Sequence, residues 1–289
     1  MNKYFFLLLL AAGVPARAGI LVHGHRGTRG LRPENTLPAF EEAIRVGADV
    51  IELDMHATKD DKIVISHNHM IPAELCLAPG GKKLDSEPII RSLTFDEVRS
   101  YDCGTLPNPR FPRQVHVPGT KMPTLDEVFE LAERSTYPGA KTLQFNIETK
   151  IVPGHPELAP EPEAFVALVA PIIERHHMAS RVILESFDDR TLIAMRKRLP
   201  KVRLALLTSD NHLDFVAAAK SCHCEIISPD QDWITKDDIA RLHKIGVQVV
   251  PWTVNEEKDW ARMIDIGADA IISDYPEDLI AYLKKRGLR

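Results

Sequence analysis

Short runs of β-branched and apolar residues alternate along the chain with longer stretches whose apolar residues recur every three to four positions. The short runs predict buried strands, and the longer stretches predict helices with one apolar face. This alternation is typical of an α/β protein with a parallel sheet. The eight predicted strands are residues 20–25, 50–54, 143–148, 182–186, 203–207, 225–228, 248–252 and 270–273.

A ninth run, residues 63–67, follows the second strand after a connection that contains Thr58-Lys59-Asp60-Asp61. Parallel strands need a crossover of about a dozen residues, so this short connection predicts an antiparallel hairpin arm outside the main sheet. Eight parallel strands with intervening helices predict a (β/α)8 TIM barrel. The typical size of such a barrel, about 250 residues, suits this chain.

Apolar stripes mark several of the helices. Leu37, Phe40 and Ile44 form one stripe, and Gly47 ends it. Similar stripes predict helices at residues 125–132 and 165–173.

The stretch from about residue 68 to residue 122 breaks this pattern, because it is rich in Pro and Gly and lacks a clear rhythm of strand and helix. We predict a small insertion subdomain after the second strand, folded over the mouth of the barrel. A long irregular connection in a compact domain is usually functional.

The first residues read as a charged, apolar and small-residue series: Met-Asn-Lys, an apolar run at residues 5–14, and then Ala16-Arg17-Ala18. This order is typical of a secretory signal peptide, here residues 1–18, that is cleaved after Ala18. A buried first strand or helix is the alternative. The signal predicts an exported protein, periplasmic or secreted, with its barrel domain at residues 19–289. A run of ten apolar residues is about half the ~20 that a membrane span needs, so we expect no stable membrane insertion.

Composition and charge exclude several classes of protein. Hydrophobic residues make up 44% of the chain and charged residues 27%, a balance that excludes disorder. The chain has 36 Lys and Arg against 41 Asp and Glu, a net charge of −5 without long single-sign runs. We therefore expect no nucleic-acid partner.

The four cysteines fall into two pairs. In an oxidising compartment, Cys76 and Cys103 could pair and close a loop of the size that disulfides stabilise. Cys222 and Cys224 flank His223, which suggests a metal site, but this short segment lacks a fourth ligand. We favour buried or redox-idle sulfur at the second pair.

Polar residues crowd the ends of the first three predicted strands. The first strand ends in His23-Gly24-His25-Arg26-Gly27, the second carries Glu52 and Asp54, and the third closes with Glu148 and Lys150. Active sites of such barrels lie at the carboxyl ends of the strands, and alternation places Glu52 and Asp54 on one face. These side chains should therefore converge.

Three converging carboxylates favour a metal site. Without a cation they would repel one another and bind protons, whereas a hard divalent ion readily accepts oxygen ligands. We predict that Glu52, Asp54 and Glu148 bind Ca²⁺ or Mg²⁺. Exclusive pairing of each acid with a nearby Arg or Lys is the alternative.

Two histidines, His25 and His67, are expected beside this metal. Imidazole titrates near neutral pH, so a pair of histidines facing a metal-bound substrate suits proton transfer. Arg26 and Lys150 add positive charge where an anion could sit, and Arg is suited to gripping phosphate. We interpret the other histidines that stand alone as satisfied polar groups: His155, His176, His177, His212 and His243.

Together these residues resemble the glycerophosphodiester phosphodiesterase family. The resemblance spans residues 23 to 276. The matching segments are His25-Arg26-Gly27, Pro33-Glu34-Asn35-Thr36, Glu52-Leu53-Asp54, Thr58-Lys59-Asp60, His67, Pro123-Thr124-Leu125, Asn146-Ile147-Glu148-Thr149-Lys150, Ser186-Phe187-Asp188, Trp252-Thr253-Val254-Asn255, Gly267-Ala268-Asp269 and Ser273-Asp274-Tyr275-Pro276.

The resemblance implies a barrel with an extra subdomain after the second strand. It also implies metal-dependent hydrolysis of a glycerophosphodiester to glycerol 3-phosphate and an alcohol, with the glycerol hydroxyl as a candidate nucleophile that would form a cyclic phosphate first. The resemblance implies that Glu52, Asp54 and Glu148 hold a divalent ion and that His25 and His67 are the acid and base pair. It implies phosphate binding by Arg26 and Lys150. Glu34 would brace the Arg or the metal shell, and Trp252 would pack on the glycerol or alcohol moiety. Packing at the barrel rim is the alternative for Trp252.

The sequence departs from the family after the second histidine, where Asn68 and then His69 replace the usual Asp. If that Asp only orients the loop, Asn68 can replace it through a hydrogen bond. If its charge tunes His67, the rate or the pH optimum should change, because a neutral amide stabilises imidazolium less. His69 is a candidate for compensation.

Two alternatives stay open. One is a lipid-cleaving phosphodiesterase on the same barrel, which a large exposed apolar patch around the insertion would favour. The other is a non-catalytic protein that binds phosphodiesters, for which Asn68 is the only support. The sequence leaves open the preferred head group, the choice between Ca²⁺ and Mg²⁺, the order of acid and base, and the oligomeric state.

Overall fold

The computed structural model describes residues 19–210 and 214–289. The strands of this part of the chain are β1 (Leu21–Gly24), β2 (Val50–Ala57), β3 (Ile63–Ile65), β4 (Leu77–Ala78), β5 (Lys82–Lys83), β6 (Gln144–Thr149), β7 (Val182–Ser186), β8 (Arg203–Thr208), β9 (Ile226–Pro229), β10 (Gln248–Val249) and β11 (Ala270–Ser273). Its α-helices are α1 (Leu37–Val46), α2 (Phe95–Ser100), α3 (Leu125–Arg134), α4 (Pro162–Arg175), α5 (Asp189–Arg198), α6 (Phe215–Cys222), α7 (Lys236–His243), α8 (Glu257–Ile266) and α9 (Pro276–Lys285).

Eight parallel strands form the main sheet in the order β10-β9-β8-β7-β6-β2-β1-β11. Backbone hydrogen bonds join its two ends: Asp269 N–H donates to Val249 O at 3.0 Å, and Ile272 N–H donates to Pro251 O at 3.0 Å. The sheet therefore closes on itself, which leaves no free edge. The predicted (β/α)8 barrel is confirmed.

The strand bounds differ little from the prediction. The seventh barrel strand is shorter than predicted, ending at Val249, because Pro251 has no N–H to donate to the ladder. The hairpin arm is confirmed: β3 pairs antiparallel with β2, with Ile65 opposite Met55. His67 lies just beyond the end of this arm.

The apolar stripes form helices as predicted, and residues at the starts of α1 and α3 satisfy free backbone N–H groups there. Thr36 caps α1 by accepting from Ala39 N–H, and Gly47 ends it in the left-handed conformation at φ 85°. Thr124 and Glu127 form a capping box on α3. The core between barrel and helices contains fully buried aromatic side chains: Phe40, Phe129, Phe145 and Phe165.

The insertion has more regular structure than its sequence predicts. It contains the two-stranded pair β4–β5 and helix α2, which Thr94 and Glu97 start with a capping box. A separate apolar cluster supports it: Val64, Ile71, Cys76, Ile90, Val98 and Met122. Cys76 and Cys103 form a disulfide across it, in agreement with the predicted pair.

Cys222 and Cys224 form a disulfide with each other and are buried. Their sulfur atoms are therefore not available to bind the metal ion that their position beside His223 suggested. The predicted signal peptide, residues 1–18, lies outside the described residues and stays a prediction, as does the interpretation of His212. Within the described chain, no helix is both long and apolar enough to cross a bilayer.

Candidate active site

The register of β2 and β6 brings the three predicted acids together. Asp54 lies opposite Glu148 on the neighbouring strand, and Glu52 lies two residues before Asp54 on the same face. One carboxylate oxygen from each of the three lies within 4.8 Å of the others. All three side chains are buried at the carboxyl end of the barrel.

The electrostatics of this triad suit a cation. Burial, and then the charge of Asp54, raise the pKa of Glu52 well above its ordinary value. Burial also raises the pKa of Glu148 to about 7, although Lys150 opposes this shift. Burial opposes ionisation of Asp54 too, but Lys150 and Arg26 hold its pKa well below the usual range. Hard divalent ions prefer such oxygen ligands, so the donor set fits one.

Lys150, which follows β6, lies between two of these acids. Its Nζ is 2.9 Å from Asp54 Oδ1 and 2.7 Å from Glu148 Oε1. Glu52 accepts instead from the backbone N–H of Arg26, at 2.7 Å. The alternative of pairing with Lys or Arg thus applies to Asp54 and Glu148, while Glu52 faces the cavity without a lysine or arginine side chain at ion-pair distance among the described residues.

His25 is held by the last barrel strand. Gly24 of β1 lies opposite Ser273 of β11, so the residues that follow them, His25 and Asp274, are neighbours. His25 Nδ1–H donates to Asp274 Oδ1 at 2.6 Å. Asn255 Nδ2 donates to the second oxygen of Asp274 at 2.8 Å. Burial lowers the pKa of His25 despite the charge of Asp274. The free Nε2 lies 3.9 Å from Glu52 Oε2.

A tight turn after β1 places Arg26. Arg26 at φ 48° and Gly27 at φ 86° are both left-handed, and a Cβ on Gly27 would lie 2.7 Å from the backbone of Ala39. Arg26 Nη1 donates to Glu34 Oε1 at 2.5 Å, and Arg29 Nε donates to Glu34 Oε2 at 2.6 Å. Glu34 therefore braces the arginine rather than the acidic triad.

His67 lies on the other side of the cavity. Its Nδ1–H donates to Asn68 Oδ1 at 2.9 Å. Asn68 therefore makes the hydrogen bond through which we expected it to replace the usual Asp. Burial lowers the pKa of His67 to about 4. The ring of His69 packs edge-on against His56, at 4.7 Å between centroids, and His56 Nε2–H donates to the carbonyl of His67 at 3.3 Å.

These groups open into one cavity of about 330 Å³. Its wall includes eight of the nine predicted site residues: His25, Arg26, Glu52, Asp54, His67, Glu148, Lys150 and Trp252. The ninth, Glu34, lies behind Arg26. Trp252 both packs and lines the cavity, since its Nε1 donates to Ser228 O at 2.9 Å and its ring meets the exposed Phe187 edge-on at 5.8 Å.

Sequence reasoning assigned no role to several residues that support the site. Asp274 stood in a matching segment, and the pairing of β11 with β1 places it beside His25. Asn35, left-handed at φ 56°, donates from Nδ2 to Asp54 Oδ2 at 2.7 Å. Glu185 lies opposite Glu148 on β7 and accepts from Asn146; burial, and then Glu148, raise its pKa to about 8. Its position at the carboxyl end of a predicted strand could have identified Glu185 as a site residue from the sequence.

Three of the five histidines that we interpreted as satisfied polar groups have carboxylate partners. His155 meets Glu157, and His243 meets Asp269, each at 2.8 Å. His176 lies 2.9 Å from Asp126 and 3.1 Å from Glu133. His177 is an exposed residue after α4.

The model of the glycerophosphoryl diester phosphodiesterase family matches residues 25–278, which is most of the chain and the whole of this site. The chain belongs to this family. The family resemblance drawn from the motifs is confirmed, and named relatives are enzymes. A glycerophosphodiester phosphodiesterase from Caldanaerobacter subterraneus is 31% identical over 271 residues, 92% of this chain and 99% of that protein.

Solved structures share the fold. A provisionally named glycerophosphoryl diester phosphodiesterase from Silicibacter pomeroyi superposes with a TM-score of 0.86 at 29% identity, covering 95% of this chain and 96% of that one. A phosphodiesterase from Oleispira antarctica, in complex with its product sn-glycerol-3-phosphate, has a TM-score of 0.75 at 20% identity, covering 92% of this chain and 97% of that one. The second likeness supports the fold alone.

Proposed function

We propose that this chain hydrolyses glycerophosphodiesters to glycerol 3-phosphate and an alcohol, with a divalent cation on Glu52, Asp54 and Glu148. One observation carries the proposal: three buried carboxylates and two oriented histidines face a single cavity. The Caldanaerobacter relative carries this activity in its name, and the Oleispira protein holds the product, which agrees with the same reaction.

The phosphate of the substrate would lie against the cationic side chains of the cavity. When bound, the cation would polarise a phosphoryl oxygen and stabilise charge that develops in the transition state. Arg26, fixed by Glu34, offers paired N–H donors to two phosphate oxygens. Lys150 contributes a compact positive charge on the side of Asp54 and Glu148.

The two histidines would move the protons. One removes a proton from the attacking hydroxyl, and the other protonates the alkoxide of the departing alcohol. If the neighbouring glycerol hydroxyl attacks, its oxygen bonds to phosphorus as the alcohol leaves, and water then opens the cyclic phosphate. Asp274 and Asn68 each accept from an Nδ1–H, so the Nε2 atom of each ring is the one that exchanges protons.

Cleavage of intact lipids is not favoured. A large apolar patch around the insertion would support it, yet Val115 is the one exposed large hydrophobic residue in the described insertion. A binding role without catalysis rested only on the replacement of Asp by Asn68. Because Asn68 accepts a hydrogen bond from His67, this replacement does not favour the binding role. Export by the predicted signal peptide stays part of the proposal, and the two disulfides agree with an oxidising compartment.

The decisive experiment offers several glycerophosphodiesters to purified protein with Ca²⁺, Mg²⁺ or EDTA and measures glycerol 3-phosphate. We expect turnover with a cation and reversible loss with the chelator. His25→Ala and His67→Ala should each lose at least about 100-fold in kcat while folding normally. His155→Ala, at an exposed position, serves as the matched control. Near-normal turnover in either site variant would reject that residue's role.

A further inference from the structure

A second cavity, of about 250 Å³, lies between the barrel mouth and the insertion. Barrel-side residues such as Glu34 and Ser66 form one wall, and insertion residues including Leu75, Asn108 and the Cys76–Cys103 disulfide form the other. It shares Arg26, Arg29 and His67 with the central cavity. The two cavities therefore meet at the residues proposed to hold phosphate and to move a proton.

A phosphodiester has an alcohol on each side of its phosphate. In the central cavity, Trp252 and Phe187 offer aromatic faces to one alcohol, and neither of them lines the second cavity. The second cavity begins at His67 and extends under the insertion. Its volume leaves room for a small head group.

Each acidic side chain that lines the second cavity is paired with arginine. All its lining residues lie in the described part of the chain, and two of them, Glu34 and Glu74, are acidic. Glu34 is held by Arg26 and Arg29, and Glu74 lies 3.2 Å from Arg110. No Phe, Tyr or Trp lines this cavity. A quaternary ammonium would find neither an unpaired carboxylate nor an aromatic cage there.

Two of the amides that line this cavity, Asn108 and Gln114, offer a donor and an acceptor. Asn108 is buried, and its Oδ1 accepts from the N–H of Arg110 at 3.1 Å, which fixes the orientation of the amide. Its Nδ2 is therefore a buried donor, and it has no hydrogen-bond partner. Gln114 Nε2 donates to Arg29 O at 2.8 Å, which leaves Oε1 as an acceptor. A bound hydroxyl group both accepts and donates hydrogen bonds, so it can use the donor of Asn108 and the acceptor of Gln114.

We propose that the second cavity binds the leaving alcohol and selects a neutral, hydroxyl-rich head group over a quaternary ammonium, with Asn108 Nδ2 as the donor to a hydroxyl. The inference rests on the proposed function and names its substrate class. An unpartnered buried donor is costly, so a ligand that satisfies it gains binding that a ligand without a hydroxyl does not.

The test compares kcat/KM for glycerophosphoglycerol and glycerophosphocholine, measured as glycerol 3-phosphate release. Wild type should prefer the polyol ester by at least about tenfold, the discrimination expected when a buried donor is left unpaired. Asn108→Asp keeps the acceptor for Arg110 N–H, removes the donor and adds a negative charge. The ratio should then move at least about tenfold toward the choline ester.

Ser86→Asp is the matched control, because it adds the same charge at an exposed insertion position outside the cavity. It should leave the ratio unchanged. A wild type that prefers the choline ester, or an Asn108→Asp variant with the wild-type ratio, would overturn the inference while leaving the proposed function intact. If none of the diesters released glycerol 3-phosphate, the proposed function itself would be rejected.

Product inhibition of wild type gives a second measurement that needs no folded variant. Free glycerol should inhibit at a lower concentration than free choline. Glycerol has two hydroxyls besides the one that bonds to phosphorus in the diester, and these can accept from Asn108 Nδ2, whereas choline has no second hydroxyl. Equal inhibition by both alcohols, or stronger inhibition by choline, would contradict the proposed subsite.

Discussion

Each polar side chain proposed to act on the substrate is held by a neighbour that need not touch the substrate. Asp274 orients His25, Asn68 orients His67, and Glu34 fixes Arg26. These contacts fix the ring tautomers and the direction of the guanidinium before substrate arrives. Preorganised groups avoid reorganisation at the moment of reaction, so the supporting residues should affect turnover more than binding.

Asp274→Asn tests this support. The amide keeps the shape of Asp274 but loses its charge, so it stabilises protonated His25 less and can present a donor to Nδ1. We expect kcat to fall about 100-fold or more with a smaller change in KM, since general acid–base catalysis contributes that much. Steady-state kinetics of the cation-loaded enzyme measures both constants. Asp278→Asn, near the surface of α9, is the control, and equal kinetics in both variants would contradict the positioning role.

His176 offers a residue-scale prediction outside the site. Burial lowers its pKa, but hydrogen bonds to Asp126 and Glu133 outweigh this, so the net pKa is raised. A raised folded-state pKa stabilises the protein below the unfolded value of about 6.5, and this stabilisation is lost as pH rises through the folded value. His176→Asn should therefore lower the urea midpoint more at pH 5.5 than at pH 8.5. A larger loss at pH 8.5 would contradict the assignment.

At the scale of elements, neighbouring strands assemble the site and the insertion closes it. The parallel register of β2, β6 and β7 aligns Asp54, Glu148 and Glu185 in one row at the carboxyl end. The insertion packs its own apolar cluster and stays closed by the Cys76–Cys103 disulfide. The barrel and its hairpin arm thus supply the groups that we propose to act on the substrate, and the insertion supplies one wall of the second cavity.

Removal of that disulfide should loosen the insertion. Cys76 and Cys103 are 27 residues apart, and loop-closure entropy gives about 3.5 kcal/mol for a loop of this size. Replacing both by Ala should lower the free energy of unfolding by an amount of this order and speed proteolysis within residues 68–122. Urea unfolding and limited proteolysis measure the two effects.

The other disulfide is the control, because Cys222 and Cys224 are two residues apart and the same entropy gives only about 1 kcal/mol. Its removal should leave proteolysis of the insertion unchanged. Equal cleavage of the insertion in wild type and in the Cys76–Cys103 variant would show that the apolar cluster alone holds it closed.

At the scale of the whole molecule, a cation on the acidic triad would couple metal binding to folding. A cation that binds the folded chain alone stabilises it by about 2.7 kcal/mol at a hundredfold excess over its Kd. Ca²⁺ or Mg²⁺ should therefore raise the melting temperature of EDTA-treated protein. Glu52→Gln should abolish this rise, whereas Glu41→Gln, exposed on α1, should keep it.

Metal-free Glu52→Gln should be at least as stable as metal-free wild type at pH 7. Burial and the charge of Asp54 raise the pKa of Glu52, so its ionised form destabilises the folded state, and this cost grows as pH rises above the unfolded pKa. Thermal melts with and without cation measure both effects. An equal cation-induced rise in wild type and Glu52→Gln would contradict the triad as the binding site.

The amino-acid sequence alone determined the barrel, its hairpin arm and nine candidate site residues, eight of which line the central cavity. Strand and helix patterns are local, and the period of two fixes which residues of a strand share a face. The positions of Glu52, Asp54 and Glu148 at strand ends therefore predicted their convergence, and the parallel register of β2 and β6 brings it about.

The tertiary structure alone decided what supports and encloses those groups. Asp274 meets His25 because the last strand, β11, pairs with the first, β1, a contact across 249 residues that no local pattern encodes. The donor of Asn108 is left buried and unpaired only once the insertion packs over the barrel. Periodicity is a property of neighbouring residues, whereas closure, packing and burial depend on the whole chain, and they give this site its supports and its second cavity.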